Sequence, residues 1–276
     1  MAALLAATVT SGVVVKPVSN MHSKPAADSD VVSQAIYGSN VALLEERNGW
    51  ARIRTADEYT GWMQDAELRR LAGGERAYAS GDRTAQVESL FANLYQEADV
   101  TKHAPLLTVP FETRLEVVAE EELQGRWIHV RLADDRPAWV QRGDVTLVAQ
   151  RLSIAETIAL SKRFLGLPYF WGGVSTFGYD CSGFTQMLCR RRGLLIPRDA
   201  DIQAAWRGMI PIERDNLKPG DLVYFGKSPE KITHTGMYIG NGEFVNATAW
   251  ERPVVQISRL DDPHWTKLFV AARRLK

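Results

Sequence analysis

One fifteen-residue pattern occurs twice in this chain, and it constrains the fold more than any other feature of the sequence. Trp50 to Gln64 aligns without gaps on Trp127 to Gln141, with the tryptophans twelve residues apart in each copy. Both copies alternate apolar and polar residues on either side of a turn, Ala56-Asp57-Glu58 in the first and Ala133-Asp134-Asp135 in the second. Alternation about a short polar turn is the signature of a β-hairpin, and a repeat of this size predicts two small barrels of short strands. Copy one would run from about residue 8 to 72 and copy two from about 80 to 150. Gly73-Gly74 and Gln150-Arg151 serve as boundaries, giving domains at 1–75, 76–150 and 151–276. The β-branched run from Thr8 to Val15 reads as the strand that opens the first barrel.

The third segment carries the chemistry. Pro168 to Gly173 is aromatic and glycine-rich, and it precedes Gly178-Tyr179-Asp180-Cys181-Ser182-Gly183-Phe184. From Cys181 to Arg192 the apolar residues Phe184, Met187 and Leu188 recur at helical spacing, and Gly193 supplies a C-terminal stop. Cys181 therefore falls in the first turn of a helix, where backbone N–H groups and the helix dipole favour thiolate. The competing reading is a small buried hydrophobe. A nucleophilic thiol needs a base, and His234 lies in the strand-like Thr233 to Ile239. A second strand, Glu243 to Ala247, follows the turn Gly240-Asn241-Gly242. Folding the two as a hairpin sets Asn246 opposite or diagonal to His234, within reach to orient the imidazole. Cysteine, histidine and a polar orienting group form the set of a thiol hydrolase.

At these residues the chain resembles the NlpC/P60 family of cell-wall endopeptidases. The resemblance covers roughly residues 153 to 276 and rests on Tyr169 to Gly173, Asp180 to Phe184, His234 to Gly240 and Phe244 to Ala247. It implies an α+β, papain-like catalytic domain in which Cys181 is the nucleophile, His234 the base and Tyr169 the tyrosine near the oxyanion site. Asn246 stands where the family most often has histidine. The two upstream barrels are similar to bacterial SH3 domains. The order of two SH3-like domains followed by Tyr-Asp-Cys-Ser resembles γ-D-glutamyl-L-diamino acid endopeptidases of stem-peptide recycling. In that group Tyr59, Asp180 and Ser182 would hold a free N-terminal amine, a carboxylate and two hydroxyls being suited to an ammonium. Two readings of Asp180 stand, amine receptor and helix N-cap. Tyr59 aligns with Arg136 in the second copy, a divergence that also fits an exposed hairpin position varying freely. Arg198, in the matching Pro-Arg-Asp segment, is offered to a substrate carboxylate, with a surface salt bridge to Asp199 or Asp201 as the alternative. Asp221 reads as structural.

Composition excludes several other classes. The chain has 276 residues, 45% hydrophobic and 24% charged, with zero formal net charge, which gives no footprint for nucleic acid. Cys181 and Cys189 are too few for a disulfide framework, and eight residues of helical rise, about 12 Å, exceed disulfide reach. His22, His103, His129 and His264 lack metal-ligand spacing, so neither metal nor cofactor is expected. No segment has the length of a membrane span, and the first basic residue, Lys16, follows the N-terminal apolar run rather than preceding it. The resemblance, with which these features agree, implies a cysteine peptidase acting on murein stem peptides, L-Ala-γ-D-Glu-diamino acid, with diaminopimelate and lysine both open; the expectation is a monomeric cytoplasmic enzyme. Two alternatives carry different tests: a hydrolase tethered by its SH3-like domains to intact peptidoglycan, and a thiol-dependent acyltransferase.

Overall fold

The repeat folds as written. A computed structural model describes residues 11–118 and 125–276 and divides the chain into two compact units, Met1–Val148 and Ala149–Lys276. The first unit contains two seven-stranded antiparallel sheets. One comprises β1 (Ser11–Val14), β2 (Val18–His22), β3 (Val31–Ile36), β4 (Asn40–Arg47), β5 (Trp50–Arg54), β6 (Thr60–Gln64) and β7 (Leu68–Arg70). The other comprises β8 (Thr84–Val87), β9 (Phe91–Tyr95), β10 (Leu107–Pro110), β11 (Arg114–Val117), β12 (Trp127–Arg131), β13 (Pro137–Gln141) and β14 (Val145–Thr146). Their orders, β3-β2-β6-β5-β4-β1-β7 and β10-β9-β13-β12-β11-β8-β14, are the same strand for strand. The strand expected over Thr8 to Val15 is β1; Thr8 to Thr10 and the rest of the N-terminal run lie outside the described residues.

Sequence identity at the hairpin becomes backbone identity. Trp50 pairs with Gln64 and Arg52 with Trp62, as Trp127 pairs with Gln141 and His129 with Trp139. Both turns close with the same bonds, Glu58 N–H to Thr55 O and Asp135 N–H to Leu132 O, each at 3.0 Å. Both also place the third turn residue at positive φ, 65° for Glu58 and 68° for Asp135.

The expected boundary near residue 75 does not separate two independent cores. Val13, Tyr37 and Leu71 from the first sheet share one buried cluster with Tyr78, Ala85, Ile128 and Val140. Tyr37 and Tyr78 meet edge to face with centroids 6.4 Å apart, and the Tyr78 hydroxyl donates to Arg131 O at 2.6 Å. The Tyr37 hydroxyl accepts from the Ala133 N–H at 2.7 Å. The second barrel thus caps the first, and Gly73-Gly74 lies in a turn beside a continuous apolar contact.

The second unit is built on one antiparallel sheet. It contains α1 (Ile154–Lys162), β15 (Val174–Ser175), β16 (Gly178–Tyr179), α2 (Cys181–Arg191), α3 (Ala200–Ala205), β17 (Met209–Pro211), β18 (Leu222–Gly226), β19 (Ile232–Gly240), β20 (Glu243–Thr248), β21 (Val254–Arg259), α4 (Pro263–Leu268) and β22 (Phe269–Leu275). The sheet order is β17-β22-β18-β19-β20-β21. Helix α2 packs on β19 and β20 and is buried on nearly every side, with Phe184, Met187, Leu188 and Cys189 fully buried. Two of its inward polar side chains are hydrogen-bonded: Gln186 Nε2 donates to Ile196 O at 2.9 Å, and Thr185 Oγ1 to Gln203 Oε1 at 3.1 Å. Strand β18 is buried along its whole length, and Asp221 beside it accepts two 2.7 Å bonds from Arg274, the structural role expected of it.

The bond from Ala133 N–H to Tyr37 is fully buried, so removing its acceptor leaves an orphaned donor. Tyr37→Phe should destabilise the first unit by about 1–3 kcal/mol with no change in the cysteine chemistry. Denaturant unfolding followed by tryptophan fluorescence measures this; an unchanged midpoint would mean that water reaches Ala133.

Candidate active site

Asp180 organises the start of α2. Its Oδ1 accepts from the Gly183 N–H at 2.7 Å, the N-cap bond, and its Oδ2 accepts from the Gly172 N–H at 3.0 Å. Cys181 is consequently the first residue of the helix, as its sequence setting predicts. The glycines on either side are required by space. A Cβ on Gly183 would lie 2.2 Å from Gly173 O, and one on Gly173 would lie 2.3 Å from Gly178 O. The aromatic, glycine-rich segment therefore lies directly against the first turn of α2. Tyr169, half-buried in that segment, is held by its N–H to Pro253 O at 2.7 Å and by a bridge to Tyr179. Burial, and after it the neighbouring Cys181, raises its phenol pKa, so the hydroxyl is a donor at neutral pH.

The base comes from the sheet. His234 Nε2 lies 2.9 Å from Asn246 Oδ1. The hairpin register explains the meeting: Met237 pairs with Val245, which sets Asn246 diagonally across from His234. The amide direction follows from its other bonds, since Asn246 Nδ2 donates to Ser258 Oγ at 3.1 Å and to Gln256 O at 3.3 Å. Oδ1 therefore faces the ring, Nε2 carries the proton, and Nδ1 is the proton acceptor. The close approach of β19 and β20 depends on Gly236, where a Cβ would fall 2.7 Å from Phe244 Cδ2 and 3.0 Å from Asn246 Cβ. Thr235, next to His234, donates its backbone N–H to the Cys181 sulfur, as does Ser182. His234 is thus the sequence neighbour of a residue whose backbone reaches the thiol.

Three contributions were not legible in the sequence. The buried Trp265 stacks on His234 with centroids 4.9 Å apart, and Phe225 leans on the ring at 5.7 Å. Ser258 fixes the Asn246 amide; the alternation of β21 is the signal that places its side chain toward Asn246. Arg198 is the third. It is not on the surface: its side chain is 1% exposed, and its Nη1 and Nη2 donate to Asp180 Oδ1 and Oδ2 at 3.0 and 2.6 Å, with the Asp199 carboxylate adding its charge nearby. Nη1 also donates to Ser182 Oγ at 2.8 Å. With its guanidinium committed to Asp180 and Ser182, Arg198 stands behind the nucleophile instead of lining a carboxylate pocket. Asp180 is the N-cap of one of its two sequence readings, and its carboxylate is already engaged by Arg198, Gly172, Gly183 and Ser182. Tyr59 lies in the first unit, in the β5–β6 turn, packed against the cluster of Val14, Met21, Ile53 and Met63.

Burial dominates the electrostatics of the pair. It pushes the Cys181 thiol up to about 12, and the Asp180 carboxylate adds to the rise, while the two N–H donors and Arg198 pull the other way. It also pushes His234 down to about 4, which the bond to Asn246 only partly offsets. The thiolate expected at a helix N-terminus is thus outweighed by desolvation, and the resting pair is neutral thiol with neutral imidazole.

A cysteine held at a helix start, a base of fixed tautomer and an amide that orients it define a cysteine peptidase site. Residues 166–274 match the NlpC/P60 family, and residues 21–68 match the bacterial dipeptidyl-peptidase SH3 domain. The γ-D-glutamyl-L-lysine dipeptidyl-peptidase of Bacillus cereus is 31% identical over 257 residues, covering 88% of this chain and 74% of the relative. The protein of the same name from Bacillus subtilis is 29% identical over 258 residues, covering 90% and 82%. The chain belongs to the NlpC/P60 family. An NlpC/P60 protein structure from Bacillus cereus shares the fold with a TM-score of 0.82 at 24% identity, covering 96% of this chain and 99% of that one.

Two outcomes follow from the site. Cys181 is 8% exposed and Cys189 0%, and two backbone N–H groups, of Thr235 and Ser182, favour the thiolate of Cys181. Iodoacetamide near neutral pH should therefore label Cys181 first and abolish hydrolysis; mass spectrometry showing equal labelling would reject Cys181 as nucleophile. The second concerns pH. Because the base-competent form of His234 is the neutral one, kcat/KM should fall only as pH drops through about 4, with the fold followed at each pH by circular dichroism. An acid limb centred near 6.5, the ordinary histidine value, would show that the ring is solvated.

Proposed function

We propose that this cysteine peptidase hydrolyses the bond between γ-D-Glu and the L-diamino acid in peptidoglycan stem peptides that begin with a free L-Ala. Cys181 at the start of α2 and the hydrogen-bonded His234–Asn246 pair on the sheet packed against it carry the hydrolytic part of this reading. The relatives' names, γ-D-glutamyl-L-lysine dipeptidyl-peptidase, support the substrate part. In the reaction the Cys181 sulfur attacks the γ-carbonyl while its proton moves to His234 Nδ1. The tetrahedral oxyanion takes a bond from the Tyr169 hydroxyl, and the imidazolium protonates the leaving α-amine of the diamino acid. Water, activated by the returned imidazole, then releases L-Ala-γ-D-Glu and restores the thiol. The arrangement is read as papain-like. The second sheet is read as a second SH3-like module, supported by its strand order and its matching hairpin turn.

The free-amine requirement is assigned to Asp180 and Ser182, with Tyr59 included on the resemblance alone. Stem peptides with a free L-Ala arise only after release from muramic acid, which is the support for reading the enzyme as one of cytoplasmic recycling; it is read as a monomer. Acetylating L-Ala removes the charge and adds bulk, and leaving charged hydrogen bonds unmade should lower kcat/KM about a hundredfold or more. The measurement compares L-Ala-γ-D-Glu-diaminopimelate, its lysine analogue and their N-acetyl forms by mass spectrometry. Equal rates on free and acetylated peptides, or digestion of intact sacculi, would overturn the free-amine reading while leaving the peptidase assignment in place.

A further inference from the structure

We infer that Arg198 is a positioning residue that sets the reactivity of the Cys181 thiol by neutralising Asp180, so that a carboxylate can cap α2 beside the nucleophile without suppressing its thiolate. The inference rests on the same thiol as the proposed hydrolysis.

The geometry is that of a closed charge pair. The two oxygens of Asp180 receive five donor groups: the Gly172 and Gly183 N–H groups, the Ser182 hydroxyl, and both terminal nitrogens of Arg198. Of these only the guanidinium carries charge. Arg198 is 2% exposed and Asp180 8%, so solvent screens neither well. A carboxylate one residue before a cysteine opposes the formation of thiolate, whereas N-capping demands a side-chain acceptor at that position. The fork of Arg198 reconciles the two. It engages both oxygens of the carboxylate, and its Nη1 reaches on to Ser182 Oγ at 2.8 Å, spanning the residues on either side of Cys181. A lysine, with one point of attachment, satisfies the charge but not the fork. The groups facing Cys181 from the surrounding elements are Asp180 on its own helix, Arg198 before α3, Tyr169 on the glycine-rich segment, and His234 with the Thr235 N–H on β19. Among these only Asp180 and Arg198 carry charge at neutral pH.

Because the two charges act on the thiol with opposite sign, removing each one separates this role from a purely structural one. Alkylation of Cys181 by iodoacetamide, measured as rate against pH with the site quantified by mass spectrometry, reads the thiol directly and needs no peptide substrate. Asp180→Asn removes the carboxylate that opposes thiolate while Arg198, also in the field of Asp199, stays in place and the side chain still caps the helix, so the profile should move to lower pH by about one unit. Arg198→Met leaves the carboxylate unopposed, and the profile should move up by a similar amount. The Asp180→Asn/Arg198→Met double variant should return near to wild type, and Arg198→Lys should fall between wild type and Arg198→Met. If Arg198→Met does not fold, the single Asp180→Asn and the double variant still give the opposed shift and its cancellation. Shifts of the same sign in both single variants, or no shift in Asp180→Asn, would overturn the inference. Failure of the peptide experiment with intact alkylation shifts would instead fall on the proposed substrate.

Discussion

The structure of the catalytic unit depends on one buried carboxylate. Asp180 joins three successive segments: the glycine-rich stretch through Gly172, the first turn of α2 through Gly183, and the loop before α3 through Arg198. Each of these borders Cys181. A buried ion pair is a weak source of stability, because desolvation of two charges cancels most of their attraction. Its effect here is geometric: loss of either partner would leave an uncompensated charge in the interior, so the three segments have a strong reason to stay in register. The close glycine contacts Gly173–Gly178 and Gly183–Gly173 become understandable on the same ground, since the carboxylate draws backbone to backbone at distances that no side chain tolerates.

The neutral resting state of the pair follows from the same burial. A thiolate–imidazolium pair would place two charges in the apolar surroundings made by Phe225, Trp265 and the packed face of α2. Keeping both groups neutral avoids that cost and leaves the thiol protonated in the absence of substrate. The Thr235 and Ser182 N–H groups at the sulfur, and Asn246 at the far side of the ring, then act mainly once charge develops, when their hydrogen bonds become charge-assisted. Trp265 stacked on His234 limits ring rotation and so helps Asn246 hold the imidazole in one orientation.

What the sequence made legible was local. The position of Cys181 at a helix start followed from helical spacing and a capping residue, and the meeting of His234 with Asn246 followed from the length of one hairpin turn. The twin hairpins followed from a gapless repeat. What it left hidden depended on contacts between distant segments. Arg198 reads as a surface residue because a charged tripeptide usually is one, and only the folded chain brings Asp180 to it. The rise of the thiol pKa required knowing how deeply α2 is covered. The shared core of the two barrels was masked by Gly73-Gly74, which has the composition of a linker while Tyr37 and Tyr78 interlock across the sheets it joins. Gly236 carried no signal at all, since its need arises from Phe244 and Asn246 on the facing strand.

The duplicated hairpin shows how such hidden constraints separate two copies of one backbone. In the second copy Asp134 pairs with Arg136 at 2.7 Å, an ion pair on the exposed side of the turn. In the first copy the equivalent Asp57 accepts instead from the Thr55 hydroxyl at 2.5 Å, where the second copy has Leu132. The turn is thus stabilised from within the chain's own preceding strand, and position 59 is relieved of supplying a counterion. Tyr59 then packs its ring against the barrel's apolar cluster while the backbone of the turn stays unchanged. Thr55 and Tyr59 thus stand where the second copy has Leu132 and Arg136, on a hairpin backbone closed by the same turn bonds, so different side-chain contacts are carried by one turn geometry.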